Sequence, residues 1–132
     1  MVFNITATLL GLHNFESLSG HPSLGSIWEP IVLSNLKGLF PTADFFYYRT
    51  TNGAEIDFVM QVHNLTFAIE CKTSYSPTIC KGNYLAIEDI SPKHTFVVTP
   101  SPESWSMKEG IDVVSLSKLK SMIDGIINYF VN

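Results

Sequence analysis

Residues 55–72 read Glu-Ile-Asp-Phe-Val-Met-Gln-Val-His-Asn-Leu-Thr-Phe-Ala-Ile-Glu-Cys-Lys, two alternating runs around a short turn. In the first run Ile56, Phe58, Met60 and Val62 point one way, and Glu55, Asp57, Val59 and Gln61 the other. In the second, Phe67, Ile69 and Cys71 share one face, opposite Thr66, Ala68, Glu70 and Lys72. A period of two marks a strand with one buried face, and runs this close in the chain pair as a hairpin. With His63-Asn64 as a two-residue turn, although a weak hairpin dipeptide, Val62 faces Leu65. Asp57 then lies opposite Glu70, and Glu55 opposite Lys72. Opposed Cβ atoms sit about 5 Å apart, where two carboxylates repel by roughly 3 kcal/mol at an effective dielectric of about 20. A divalent cation removes that conflict, because hard cations take carboxylate oxygens. Lys72 stands two residues on, on the same face as Glu70. The competing reading is an ordinary polar sheet face with Lys72 paired to Glu55 or Glu70 in water.

The chain of 132 residues is 45% apolar, which predicts one domain with a proper core. Its net charge is −4, and its eight basic residues include a single arginine, Arg49. That excludes a scaffold that grips nucleic acid by bulk positive charge; an acidic centre neutralised by metal stays open. Two cysteines, Cys71 and Cys80, are too few for a disulfide framework or a zinc site, so a reduced, cytoplasmic setting is expected. No signal-peptide pattern opens the chain, and no apolar run approaches the ~18 residues of a membrane span. No phosphate-loop motif points to ATP binding by this chain itself.

Residues 1–20 read as the remnant of a preceding helix and loop, with Leu9, Leu10 and Leu12 apolar and His13 in the loop; residues 21–132 form the domain. His13 and His21 are expected as solvated loop residues. Ser23 to Phe40 carries Leu24, Ile27, Trp28, Ile31, Leu36 and Leu39 at helical spacing. Pro30 predicts either a kink or a helix that starts near Ile27. Glu29 lies on the flank of the apolar stripe. Phe45 to Thr50 reads as a strand that ends in Arg49, and Thr51-Asn52-Gly53 as a turn. Beyond the hairpin come a helix over Thr78–Glu88, weakened by Gly82, a strand over His94–Thr99, a loop over Pro100–Ser106, a strand over Ile111–Leu116 and an amphipathic helix over Ser117–Phe130. Helix, three strands, helix, two strands and helix predict an α/β fold: an antiparallel meander continued by a right-handed crossover into a mixed sheet flanked by helices.

A helical glutamate, an aspartate in the second strand and Glu-x-Lys in the third (Glu29, Asp57, Glu70, Lys72) resemble the PD-(D/E)XK nuclease superfamily. Leu-Gly-Ser-Ile-Trp-Glu (24–29), Tyr-Tyr-Arg-Thr (47–50), Gly-Ala-Glu-Ile-Asp-Phe-Val (53–59) and Ala-Ile-Glu-Cys-Lys (68–72) are similar to one branch. That branch is the uncharacterised DUF4143-like domain found C-terminal to the ATPase in prokaryotic AAA+ family proteins. The resemblance implies a restriction-endonuclease-like α-β-β-β-α-β core and a Mg²⁺- (or Mn²⁺-) dependent nuclease acting on nucleic acid, DNA above all. It also implies an ATPase domain as partner. Asp57 and Glu70 would ligate the metal, with the Cys71 carbonyl as a further ligand and Glu29 contributing directly or through water. Lys72 would position the attacking water. Ile56 stands where the superfamily often has proline, and Pro30 follows Glu29 directly. A catalytically inactive module for nucleic-acid or protein interaction is the alternative.

Overall fold

The hairpin closes at His63-Asn64. Strand β2 (Glu55–Val62) and strand β3 (Leu65–Cys71) are joined there, with φ of 52° at His63 and 65° at Asn64. Two successive positive φ values give a turn whose twist matches that of the flanking strands. The expected register follows, from Val62↔Leu65 to Phe58↔Ile69. The computed structural model describes residues 24–131; the expected remnant at 1–20, with His13, and also His21 lie outside the described residues.

Around the hairpin the sheet has six strands in the order β1-β2-β3-β4-β6-β5. Strand β1 (Asp44–Arg49) runs antiparallel to β2. Strand β4 (His94–Thr99) runs parallel to β3, and β6 (Ile111–Ser115) parallel to β4. Strand β5 (Trp105–Lys108) lies antiparallel to β6 at the far edge. Helix α1 (Leu24–Leu39) precedes the sheet, α2 (Lys81–Ile90) crosses between β3 and β4, and α3 (Leu116–Val131) closes the chain. The expected mixed α/β architecture holds, with one strand more than predicted. The segment read as a loop over Pro100–Ser106 ends in β5. That strand is mostly exposed and only four residues long, so the alternation of Trp105 and Met107 is too short to tell from a loop. Its partner β6 makes it a strand.

Apolar side chains fill both faces. On one, Val32, Leu33 and Leu36 of α1 and Leu119 and Ile123 of α3 pack on the sheet through Phe58, Phe67 and Phe96. On the other, Ala54, Ile56, Val59 and Ala68 meet Ala86 of α2, and Val97, Ile111 and Val113 meet Ile79 and Ile87. Ile56 was expected beside Phe58 and Met60 but joins Val59 and Ala68. The cause is a register slip: Phe46 pairs with Val59 while Tyr48 pairs with Ile56. Three steps along β2 answer two along β1, so β2 bulges at Asp57-Phe58 and its alternation inverts there.

Helix α1 runs continuously through Pro30, which sits in its second turn. It omits the bond from residue 30 to residue 26 and does not start late. Helix α2 begins at Lys81, later than the sequence predicts. Its start is set by Asn83, fully buried, whose Oδ1 accepts the Cys80 N–H at 3.3 Å and whose Nδ2 donates to the Glu55 carbonyl at 2.8 Å. Gly82, the weak point of the predicted helix, is required: a Cβ there would lie 2.4 Å from the Gly53 carbonyl oxygen. Gly82→Ala gains about 1 kcal/mol of helix propensity. It forces apart two backbones, a strain of about 1–3 kcal/mol. The variant is expected to be destabilised in urea unfolding.

Candidate functional site

The paired ladder of β2 and β3 ends at Phe58↔Ile69, and side chains take over beyond it. The Asp57 backbone N–H donates to Glu70 Oε1 at 3.0 Å, and the Cys71 backbone N–H donates to Asp57 Oδ2 at 2.8 Å. Each carboxylate therefore binds the backbone of the opposite strand. This reciprocal exchange holds the two acidic side chains together beyond the end of the ladder, at the bulge, with Asp57 turned to the Glu29 side rather than to the Val59 side where the alternation placed it. Lys72 Nζ lies 3.4 Å from Glu70 Oε2, and the Glu70 side chain is buried. Of the two partners open to Lys72 in the sequence, Glu70 is the one taken. Glu55 instead opposes Arg49 on β1.

The helix carrying Glu29 is anchored to the same place. Trp28, its neighbour, is buried and donates its indole N–H to the Val98 carbonyl at 2.9 Å. That carbonyl also accepts the Lys72 backbone N–H at 3.1 Å. One oxygen thus ties the first helix to the end of β3. Glu29 and Asp57 line a pocket of about 270 Å³ together with Tyr47, Arg49 and Ile56. Asp57 stands between two groups: Glu29 and Arg49 on the pocket side, Glu70 and Lys72 along β3. A larger cavity of about 360 Å³ lies at the hairpin turn, bounded by Gln61, His63 and Asn64, at the other end of the strands.

Burial dominates the electrostatics. It pushes the Glu70 carboxyl up to about 7, helped by the Asp57 charge and opposed by the Asp57 N–H and by Lys72. Glu29 is pushed up to about 7 by burial and then by Asp57, with Arg49 opposing. Burial also raises Asp57, against the Cys71 N–H and Lys72. The Cys71 residue is half-buried and packs against the main core. Burial and the three carboxylates push its thiol well above its ordinary value.

One buried and two half-buried carboxylates, with Glu29 and Glu70 raised to about 7, are of the donor type that suits a hard divalent cation. Among the described residues no three His, Cys, Asp or Glu side chains are already grouped as a metal cage. Asp57 and Glu70 are the pair brought together, and Glu29 approaches from the pocket side. Sequence reasoning missed Arg49 and Tyr47 as members of this pocket. The available signal was the Tyr-Tyr-Arg run just before the hairpin, since an antiparallel β1 brings its end beside the start of β2.

The raised carboxyls fix a pH dependence. A glutamate titrating near 4.3 when unfolded and about 7 when folded keeps its proton longer in the native state. The associated stability is complete below about pH 4.3 and is lost as pH rises to about 7. The thermal midpoint is expected to fall between pH 5 and pH 8, and Glu70→Gln to flatten the fall. Saturating Mn²⁺ is expected to raise the midpoint more at pH 8 than at pH 5.5, because ligation needs the deprotonated carboxylates. Calorimetric melts across pH check both.

A family model described as Domain of unknown function (DUF4143) matches residues 24–119. The chain belongs to the DUF4143 family. The matched segment of this DUF4143 domain holds Glu29, Arg49, Asp57, Glu70 and Lys72. Uncharacterised proteins of Mycobacterium bovis and Mycobacterium tuberculosis are each 25% identical to it over 111 residues, 84% of this chain and 25% of theirs. The chain spans about a quarter of the length of these curated relatives. A crystal structure of a protein from Vibrio cholerae is similar with a TM-score of 0.43 and 19% identity, over 77% of this chain and 33% of that one. No helix of the described residues is long and apolar enough to cross a membrane.

Proposed function

We propose that this DUF4143 domain is a metal-dependent nuclease of the PD-(D/E)XK type, hydrolysing phosphodiesters of nucleic acid, with DNA as the expected substrate. In this reading it is an accessory C-terminal domain of an AAA+ ATPase. The observation that carries the reading is the reciprocal exchange between Asp57 and Glu70 with Lys72 on the Glu70 carboxylate. The element order supports it: helix, three antiparallel strands, crossover helix, then a strand parallel to the third. The α-β-β-β-α-β order implied by the resemblance is compatible with this.

Asp57 and Glu70 would hold Mg²⁺ or Mn²⁺, with the Cys71 carbonyl and Glu29 completing the set. Such an ion supplies a lowered pKa for its bound water and polarises a phosphoryl oxygen. Lys72, preorganised beside Glu70, orients the attacking water and offsets charge developing on the phosphate. Glu29, on the pocket side of Asp57, would contribute directly or through a water. Purified protein with Mg²⁺ or Mn²⁺ is expected to nick supercoiled DNA, and Glu70→Ala to abolish nicking. Nicking that persists in Glu70→Ala would refute the assignment.

A second reading is a catalytically inactive module that binds nucleic acid or docks against an ATPase. It is favoured by the contacts that already satisfy Asp57 and Glu70 within the protein. Calorimetric titration with Mn²⁺ separates the two: heat that disappears in Asp57→Ala favours the enzyme, and no heat at all favours the module.

A further inference from the structure

The pocket beside Asp57 contains a cation that the proposed chemistry does not use. Arg49 ends β1 and lines this pocket with Glu29, Asp57 and Tyr47. Its charge bears on both carboxylates, opposing the upward pull on each. Among the described residues it nevertheless forms no ion pair and no hydrogen bond, whereas Lys72 is paired to Glu70 at 3.4 Å. An arginine that only neutralised Glu29 or Asp57 would close onto one of them, since a guanidinium and a carboxylate match as a two-pronged pair. This one is exposed and lines the pocket.

We propose that Arg49 binds a phosphate of the substrate strand and that Tyr47 stacks on an adjacent unpaired base, so that the pocket is the seat of one nucleotide of single-stranded nucleic acid. The inference rests on the nuclease-like reading for the class of ligand. Three observations point to it. The pocket, about 270 Å³, opens directly beside Asp57, so a strand whose reacting phosphate reaches Asp57 leaves a neighbouring group here. A planar guanidinium recognises phosphate bidentately, which a lysine does not. Tyr47 is 38% exposed along the same pocket wall; stacking on aromatic side chains is how unpaired bases are held. With a net charge of −4 and this one arginine, the domain has no broad basic face. Its grip on a strand is therefore local. Glu29 and Asp57 repel a phosphate at this distance unless a cation stands among them, so binding of the strand and of divalent metal reinforce each other.

The test uses the full chain, fluorescent oligothymidylate of about 12 nucleotides and Ca²⁺, a hard oxygen-seeking cation, with hydrolysis followed separately in Mn²⁺. Wild type is expected to bind the oligonucleotide more tightly with Ca²⁺ than without. Arg49→Ala is expected to weaken binding about tenfold and to lower the slope of log affinity against log salt by about 1. Arg49→Lys should fail to restore affinity, and Tyr47→Leu should weaken binding with the salt slope unchanged. Thermal melts of each variant establish that it is folded. Because Arg49 bears on Glu29 and Asp57, Mn²⁺ affinity is measured alongside by calorimetry and the oligonucleotide affinities are compared at saturating Ca²⁺. Unchanged oligonucleotide affinity and slope in folded Arg49→Ala, or no binding by wild type, overturns the proposal. So does a duplex of the same sequence that binds as tightly as the single strand. Loss of Mn²⁺-dependent nicking with Arg49-dependent binding intact would instead overturn only the catalytic reading.

Discussion

Lys72→Ala is expected to lower metal-dependent phosphodiester hydrolysis by roughly 10²–10³-fold, the usual effect of deleting one preorganised charge at a reacting centre. The structural ground is specific. Lys72 is paired to Glu70 at 3.4 Å, and its backbone N–H is fixed on the Val98 carbonyl, so little reorganisation stands between the resting and working positions. Lys72 also opposes the burial that raises Glu70. Its removal drives the Glu70 carboxyl further up, and the dependence of Mn²⁺ affinity on pH moves toward alkaline values. Single-turnover rates at saturating Mn²⁺, with affinity measured by calorimetry, separate these effects. A rate within about twofold of wild type would remove Lys72 from the chemistry.

The second large effect concerns Trp28. This side chain is buried in the main core and bonded to Val98. Trp28→Ala is expected to cost about 3–5 kcal/mol, a large part of the 5–15 kcal/mol that holds a typical domain together. Urea unfolding of the variant checks it. Trp28→Phe keeps most of the apolar volume and removes the indole N–H, for about 1 kcal/mol. Val98 retains the Lys72 N–H in that variant, so the loss falls on the anchoring of α1 and of Glu29. A Trp28→Ala protein as stable as wild type would show that the core closes without the indole.

Much of this was legible before any coordinates. The hairpin register followed from alternation and a turn length, because a slip of one residue would have turned Phe67 and Ile69 out of the core. Asp57 and Glu70 do meet, but through side chain–backbone bonds beyond the last paired residues rather than as a register pair. The bulge was not legible: Ile56 is apolar and continues the alternation of Phe58 and Met60, and only pairing with β1 reveals the extra residue. Gly82 shows the same limit from the other side. Its low helix propensity is visible in the chain, but the Gly53 carbonyl that excludes a side chain comes from a turn almost thirty positions earlier. Strand β5 carries only Trp105 and Met107 as an apolar pattern, and a short edge strand buries little. Arg49 looked like a strand terminus because its setting depends on a helix and two strands at once.

The bulge in β2 has a consequence for how such a chain tolerates change. Residues from Phe58 to Val62 are locked in phase with the core, while Glu55 and Ile56 are locked in phase with the layer beneath α2. The single surplus residue between them is the only slack. Deleting one position there would let both hydrophobic layers keep their partners, and the protein would still fold and be produced. The carboxylate would be gone or turned away from its neighbours. A one-codon loss at this point would therefore change the Asp57 site while leaving the fold in place, separating heritable foldedness from whatever that site does.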